Sequence, residues 1–137
     1  MSNEFTFTIR SDSRNKTTYS DANSFTLKLA NLPTHYKLFD VEVVACYIND
    51  SSGNNLTKYA EIQCDNLNIY GSYDTRNTES RVLATNIFNF GGLPMTYRLE
   101  NFNNREINFK VVDASNTLLS VTNWIVILRL TGVSDSP

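Results

Sequence analysis

FTFTIRSDSRNKTTYSDANSFTLKLANLPTHYKLFDVEVVACYIN, residues 5–49, decides the fold. Phe5, Phe7 and Ile9 alternate with Thr6, Thr8 and Arg10, and Phe25, Leu27 and Leu29 alternate with Thr26, Lys28 and Ala30. A period of two sends every second side chain to the same face, so each run reads as a β-strand with one face buried. Between them residues 11–23 are polar and begin Ser11-Asp12-Ser13-Arg14, which reads as a loop. The third run, residues 38–48, is apolar at nearly every position, as expected of a strand covered on both faces.

The same signal continues outward. After the turn cluster at 49–55 a weaker run covers 56–70, broken near Asp65-Asn66, and further runs occupy 82–88, 95–102, 106–112 and 124–130. That makes about eight strands with turn residues between them, the signature of an all-β sandwich or barrel. No segment sustains an i, i+3, i+4 apolar pattern, so almost no helix is expected. The longest loops are expected at 11–23, 49–55, 71–80 and 89–94, the last containing Gly91-Gly92. Of the 18 asparagines most fall in this punctuation. Asparagine tolerates the left-handed backbone and bonds its own turns, so its abundance favours strands joined by tight loops. With 137 residues and no linker or repeat, one domain is expected over residues 1–137.

Composition narrows the function. The chain is 41% hydrophobic and 19% charged, a globular balance rather than a disordered one. A net charge of −2 and scattered Lys and Arg argue against a nucleic-acid binder, which needs a dense basic face to displace counterions. No run reaches the roughly 18 apolar residues of a membrane span. No charged-then-apolar leader precedes the first strand, so synthesis in a reducing compartment is expected, with Cys46 and Cys64 as buried reduced thiols.

Chemistry is thinly represented. His35 is the single histidine and sits in a Pro33-Thr34-His35-Tyr36 loop, and no G-x-S-x-G elbow accompanies it. One His and two Cys on separate runs do not make a zinc set. The acids Asp12, Asp21, Asp50, Asp65, Asp74 and Asp113 lack the spacing of a dedicated calcium loop. Glu42, Glu61, Glu79, Glu100 and Glu106 form no pattern of paired carboxylates. No catalytic residue, cofactor or metal is therefore assigned, and an enzyme is not expected.

The order of motifs carries more. A short strand, an S-x-S-R loop, an F-x-L-x-L strand and a V-x-V strand open the chain. Arg105-x-Ile107-x-Phe109-x-Val111-x-Asp113-Ala114-x-Asn116 and then Trp124-x-Val126-x-Leu128 close it. This order, over residues 5–130, resembles the single jelly-roll capsid proteins of large and mid-sized double-stranded DNA viruses. The resemblance implies an eight-stranded antiparallel jelly-roll sandwich and a structural virion protein, made in the host cytoplasm and residing in the capsid. It implies a penton (vertex) protein that forms a homopentamer around the five-fold axis and contacts the major capsid protein and other capsid proteins, without direct contact to nucleic acid. An interstitial minor capsid protein is the near alternative. A carbohydrate-binding β-sandwich module is the rival from a different class, because fold alone does not choose between them. Tyrosine and arginine are enriched at protein interfaces, so the loop residues Arg14, Tyr19, Tyr73, Arg76 and Arg81 are the candidate contact residues.

Overall fold

The computed structural model describes residues 3–29, 31–76, 80–86 and 95–134. Ala30, Glu79, the end of the expected run at 82–88 (Ile87 and Phe88) and the expected 89–94 loop lie outside the described residues. Within those described the chain is all-β. Its strands are β1 (Glu4–Arg10), β2 (Ser24–Lys28), β3 (Leu38–Asp50), β4 (Ala60–Cys64), β5 (Ile69–Tyr70), β6 (Val82–Thr85), β7 (Met95–Glu100), β8 (Glu106–Asp113) and β9 (Val121–Gly132). The expected run at 56–70 resolves into β4 and the two-residue β5, so nine strands are described where about eight were expected.

Two antiparallel sheets pack as a sandwich, one ordered β1-β9-β3-β7-β5 and the other β2-β8-β4-β6. β1 pairs with β9, β2 with β8, β3 with β7 and β4 with β6, all antiparallel. The chain is thus one long hairpin whose successive pairs alternate between the sheets. Three further pairings, β3 with β9, β4 with β8 and β5 with β7, complete the two sheets.

Alternation supplies the core. Phe25 on β2 and Phe109 on β8 face Trp124 on β9, with ring centroids 5.5–5.6 Å apart among the three. Each such pair adds about 1 kcal/mol beyond the area it buries. The Trp124 indole N–H donates to the Ala22 carbonyl at 3.0 Å, so its polar edge is satisfied inside. A second aromatic group links Phe5, Phe7, Phe39 and Phe102. Between the sheets the buried Tyr97 hydroxyl donates to the Leu83 carbonyl at 2.7 Å.

β3 departs from its sequence expectation. It lies mid-sheet, yet its outer side is bare: Val44 is 45% and Tyr47 60% exposed. The register explains the unbroken apolar run. Val43 pairs with Leu128 and Ala45 with Ile127, leaving Val44 as the extra residue of a β-bulge. The bulge switches the inward set from Phe39, Val41 and Val43 to Cys46 and Ile48. Before the bulge Asp40 and Glu42 face outward; past it Ala45 and Tyr47 face outward and Cys46 and Ile48 inward, so both faces are apolar there and the run reads as covered on both sides.

Three loops gather at one end, because β9 starts where β3 and β8 finish. Asp50 pairs with Val121, Ala60 with Asp113, and the Val121 N–H donates to Asp21 Oδ1 at 3.2 Å. Two of the loops share a template. Asp50 Oδ1 accepts the Ser52 and Asn54 N–H groups, and Asp113 Oδ1 those of Ser115 and Thr117. Three residues past each aspartate the backbone turns left-handed, at Gly53 (φ 81°) and Asn116 (φ 65°).

Candidate interaction surfaces

The five candidate contact residues fall into two groups, on the β1–β2 loop and between β5 and β6. In the first, Arg14 turns inward and is only 7% exposed. Its Nε donates to the Tyr19 carbonyl at 2.9 Å, Nη1 to that of Ser11 at 2.9 Å and Nη2 to that of Ser20 at 3.2 Å. One planar fork satisfies three carbonyls that no strand partner reaches. Tyr19 is half-buried, its ring 6.4 Å from that of Phe25. Ser11, fully buried, accepts the Trp124 N–H on its Oγ at 2.7 Å. These side chains fasten the loop to the sandwich.

The second group belongs to a strap running from β5 across β4. Tyr59, Glu61 and Gln63 alternate toward one side of the sheet, a pattern the sequence presents as a solvated face. The strap covers that side instead, and Glu61 is only 4% exposed. Arg76 Nη2 lies 2.9 Å from both Glu61 carboxylate oxygens and also bonds Asp74. Tyr59 Oη donates to Glu61 at 2.8 Å and Gln63 Nε2 at 2.9 Å, and Gln63 reaches on to Asn116 Oδ1 at 3.0 Å. Every lone pair direction of the buried carboxylate is thereby occupied, as a buried charge requires. Arg76 holds the Asp74 carboxyl down to about 2, mainly through its side-chain hydrogen bond. Burial and the Glu61 hydrogen bond push the Tyr59 hydroxyl well above the ordinary tyrosine range. Arg81 lies on the rim, 3.9 Å from Asp65. Tyr73 is the most outward of the five, 74% exposed, and the Arg81 side chain is exposed as well.

A third surface was not singled out from the sequence: the outer face of the five-stranded sheet. Cross-strand registers set it in rows. Glu4, Thr131, Asp40, Arg98 and Tyr70 form one row, and Thr6, Arg129, Glu42 and Thr96 the next. Thr8, Ile127 and the Val44–Ala45 bulge follow, then Arg10, Ile125 and Tyr47. The first two rows are laced by ion pairs, Arg98–Asp40 at 2.8 Å and Arg129–Glu42 at 2.9 Å. The last two are apolar on β3 and β9, with Val44 and Tyr47 exposed and Ile125 and Ile127 half-buried, and end in Thr8 and Arg10 on β1. The signal lay in Val44, Tyr47, Ile125 and Ile127 occupying outward positions of adjacent strands, which becomes readable only once the bulge phase is known.

The remaining chemical groups lie apart from these surfaces. His35 is exposed on the β2–β3 loop. Cys46 and Cys64 are free and buried, and burial raises both thiols, Cys46 to about 12. Among the described residues no group of three or more His, Cys, Asp and Glu is placed to hold a metal ion, and no helix is long and apolar enough to cross a membrane. No protein-family model matches the chain, and none of the curated proteins compared with it matches.

Proposed function

We propose that the sandwich is an eight-stranded jelly roll and that the chain is a structural virion protein: a penton subunit that rings a five-fold axis with copies of itself and contacts the major capsid protein. Support for the fold comes from the strand pairing. With the two-residue β5 set aside, first pairs with last, second with seventh, third with sixth and fourth with fifth, alternating between the sheets. That wrapped hairpin is the jelly-roll pattern, an architecture recurrent in viral capsid domains.

The observation that carries the assembly reading is the apolar patch on the outer sheet face, where the exposed Val44 and Tyr47 lie beside the half-buried Ile125 and Ile127. Contiguous exposed apolar groups rimmed by polar ones mark protein contacts. A ring of identical subunits needs a heterologous contact, two different surfaces on each copy. Tyr73, exposed on the strap, lies on a different element from the patch and supplies a second surface. An interstitial minor capsid protein would use the same patch without closing a ring.

Sedimentation velocity across concentration, followed by negative-stain electron microscopy, tests the reading. The expected result is a closed five-membered ring. Tyr47→Asp, at an outward position, should dissociate it while moving unfolding stability by no more than about 0.5 kcal/mol. A strict monomer at every concentration overturns the ring.

A further inference from the structure

Above the ion-paired rows of the five-stranded sheet lies an open cleft of about 470 Å³. Its volume falls within the range of roughly 300–1,000 Å³ typical of small-molecule sites. Tyr70, with its ring exposed, and Gly71 form one wall, where the two-residue β5 ends and leaves the sheet. Asp40, Glu42, Arg98 and Arg129 line it, with the hydroxyls of Thr96 and Thr131 between them. Arg98 commits only Nε, to Asp40, so both terminal nitrogens remain without a partner among the described residues. Arg129 uses Nη1 on Glu42 and approaches Glu4 through Nε at 4.0 Å, leaving Nη2. One oxygen of each carboxylate is similarly left over.

From this we infer that the cleft is a binding site for a neutral sugar. Its chemistry matches a polyhydroxylated ring in three ways. First, the two arginines of the lining are matched by Asp40 and Glu42, and Glu4 adds a third carboxylate beside Arg129, so there is no net positive field to select a phosphate, a sulfate or a carboxylate. Second, spare donors and acceptors alternate across the floor at strand spacing, about 4.8 Å, close to the separation of hydroxyls across a pyranose. The Arg98 guanidinium, with both terminal nitrogens spare, can address two neighbouring hydroxyls at once, while Arg129 and each carboxylate offer one further group. Third, the Tyr70 ring offers an apolar face at the edge of the lattice, on which the C–H face of a sugar can stack. The ion pairs keep the floor ordered before binding, so little side-chain freedom is lost. The site rests on none of the assembly argument, since the apolar rows lie further along the same face.

The test is titration of the full chain, in whatever oligomeric state it adopts, with lactose, cellobiose, maltose and chitobiose, read by amide chemical shifts. At least one should give saturable shifts confined to Tyr70, Gly71, Thr96, Arg98, Arg129 and Thr131, with millimolar affinity unchanged between 50 and about 500 mM salt, because a neutral ligand releases no counterions. Tyr70→Ala and Arg98→Met should each weaken that binding about tenfold or more, with the unfolding midpoint unmoved. Absence of shifts at 50 mM of every sugar (roughly fifty times a millimolar dissociation constant) overturns the inference. So do shifts that map elsewhere, and so does binding of a heparin-derived oligosaccharide alone. None of these outcomes bears on whether a ring assembles.

Discussion

At Arg14 a guanidinium that water hydrates strongly in the unfolded chain is withdrawn almost completely, and its fork meets the carbonyls of Ser11, Tyr19 and Ser20. Removing it strands the Tyr19 and Ser20 carbonyls and leaves that of Ser11 with only the backbone N–H of residue 14, in a loop that has no ladder to satisfy them. Arg14→Ala should therefore cost about 2–4 kcal/mol in urea unfolding, with the slope unchanged. Arg14→Lys should recover little, since a single ammonium cannot span three carbonyls. Were Arg14 chiefly a contact to a neighbouring subunit, both variants would keep their stability and lose only assembly. Gly53 poses a simpler case. Nothing lies within 4 Å of where its Cβ would be, so only its left-handed backbone resists substitution. Gly53→Val should cost about 1–2 kcal/mol. Gly53→Asn should be nearly neutral, because the matching loop already carries Asn116 in that conformation.

The strap across β4 is held at the element scale by charge rather than by burial of apolar surface. Arg76→Ala would leave the buried Glu61 carboxyl without its cation and with only Tyr59 and Gln63 as donors. The expected loss is about 2 kcal/mol, below the usual figure for breaking a buried pair because Arg76 itself is a third exposed. Folding lowers Asp74 from its ordinary 3.8 to about 2, so its contribution is complete above about pH 5 and disappears as the pH falls through about 2. Hydrogen exchange at the Arg76 amide, which donates to Asp74 Oδ1, should lose protection over that window after correction for intrinsic rate. Asp74→Asn should abolish the pH dependence. The sequence made strand positions legible because a period of two survives in β1, β2, β7 and β8. It hid the outward side of β3, where the Val44 bulge joins two phases, and it hid the buried side of β4, where Tyr59, Glu61 and Gln63 look solvated until a distant segment covers them. Arg14 and Tyr19 were legible as loop residues, but their inward direction was not, since direction depends on which carbonyls the loop leaves unpaired.

Over the whole molecule the pairing of Glu4 with Thr131 means that the outermost pair of the hairpin joins the two ends of the described chain. Neither sheet can be completed from a local stretch, because β9 sits between β1 and β3, and β8 between β2 and β4. Such topology ties the two sheets into one cooperative unit. The cysteines report on this independently, Cys46 on β3 in one sheet and Cys64 on β4 in the other. With Cys46 raised to about 12 by burial, thiolate at pH 8 is on the order of one part in ten thousand, and the surrounding core excludes reagent besides. Cys64 is fully buried and raised as well. Labelling with an aromatic disulfide should therefore wait for unfolding. Both thiols should react at one common rate, and sub-denaturing urea should accelerate both along one line whose slope matches global unfolding. If Cys46 labelled faster than Cys64, with a shallower urea dependence, the five-stranded sheet would be opening by itself and the single-unit account would fail. A common rate would mean that the patch on the outer face of β3 and β9 and the strap over β4 are held by the same cooperative event, so that anything binding either surface would stabilise the whole sandwich.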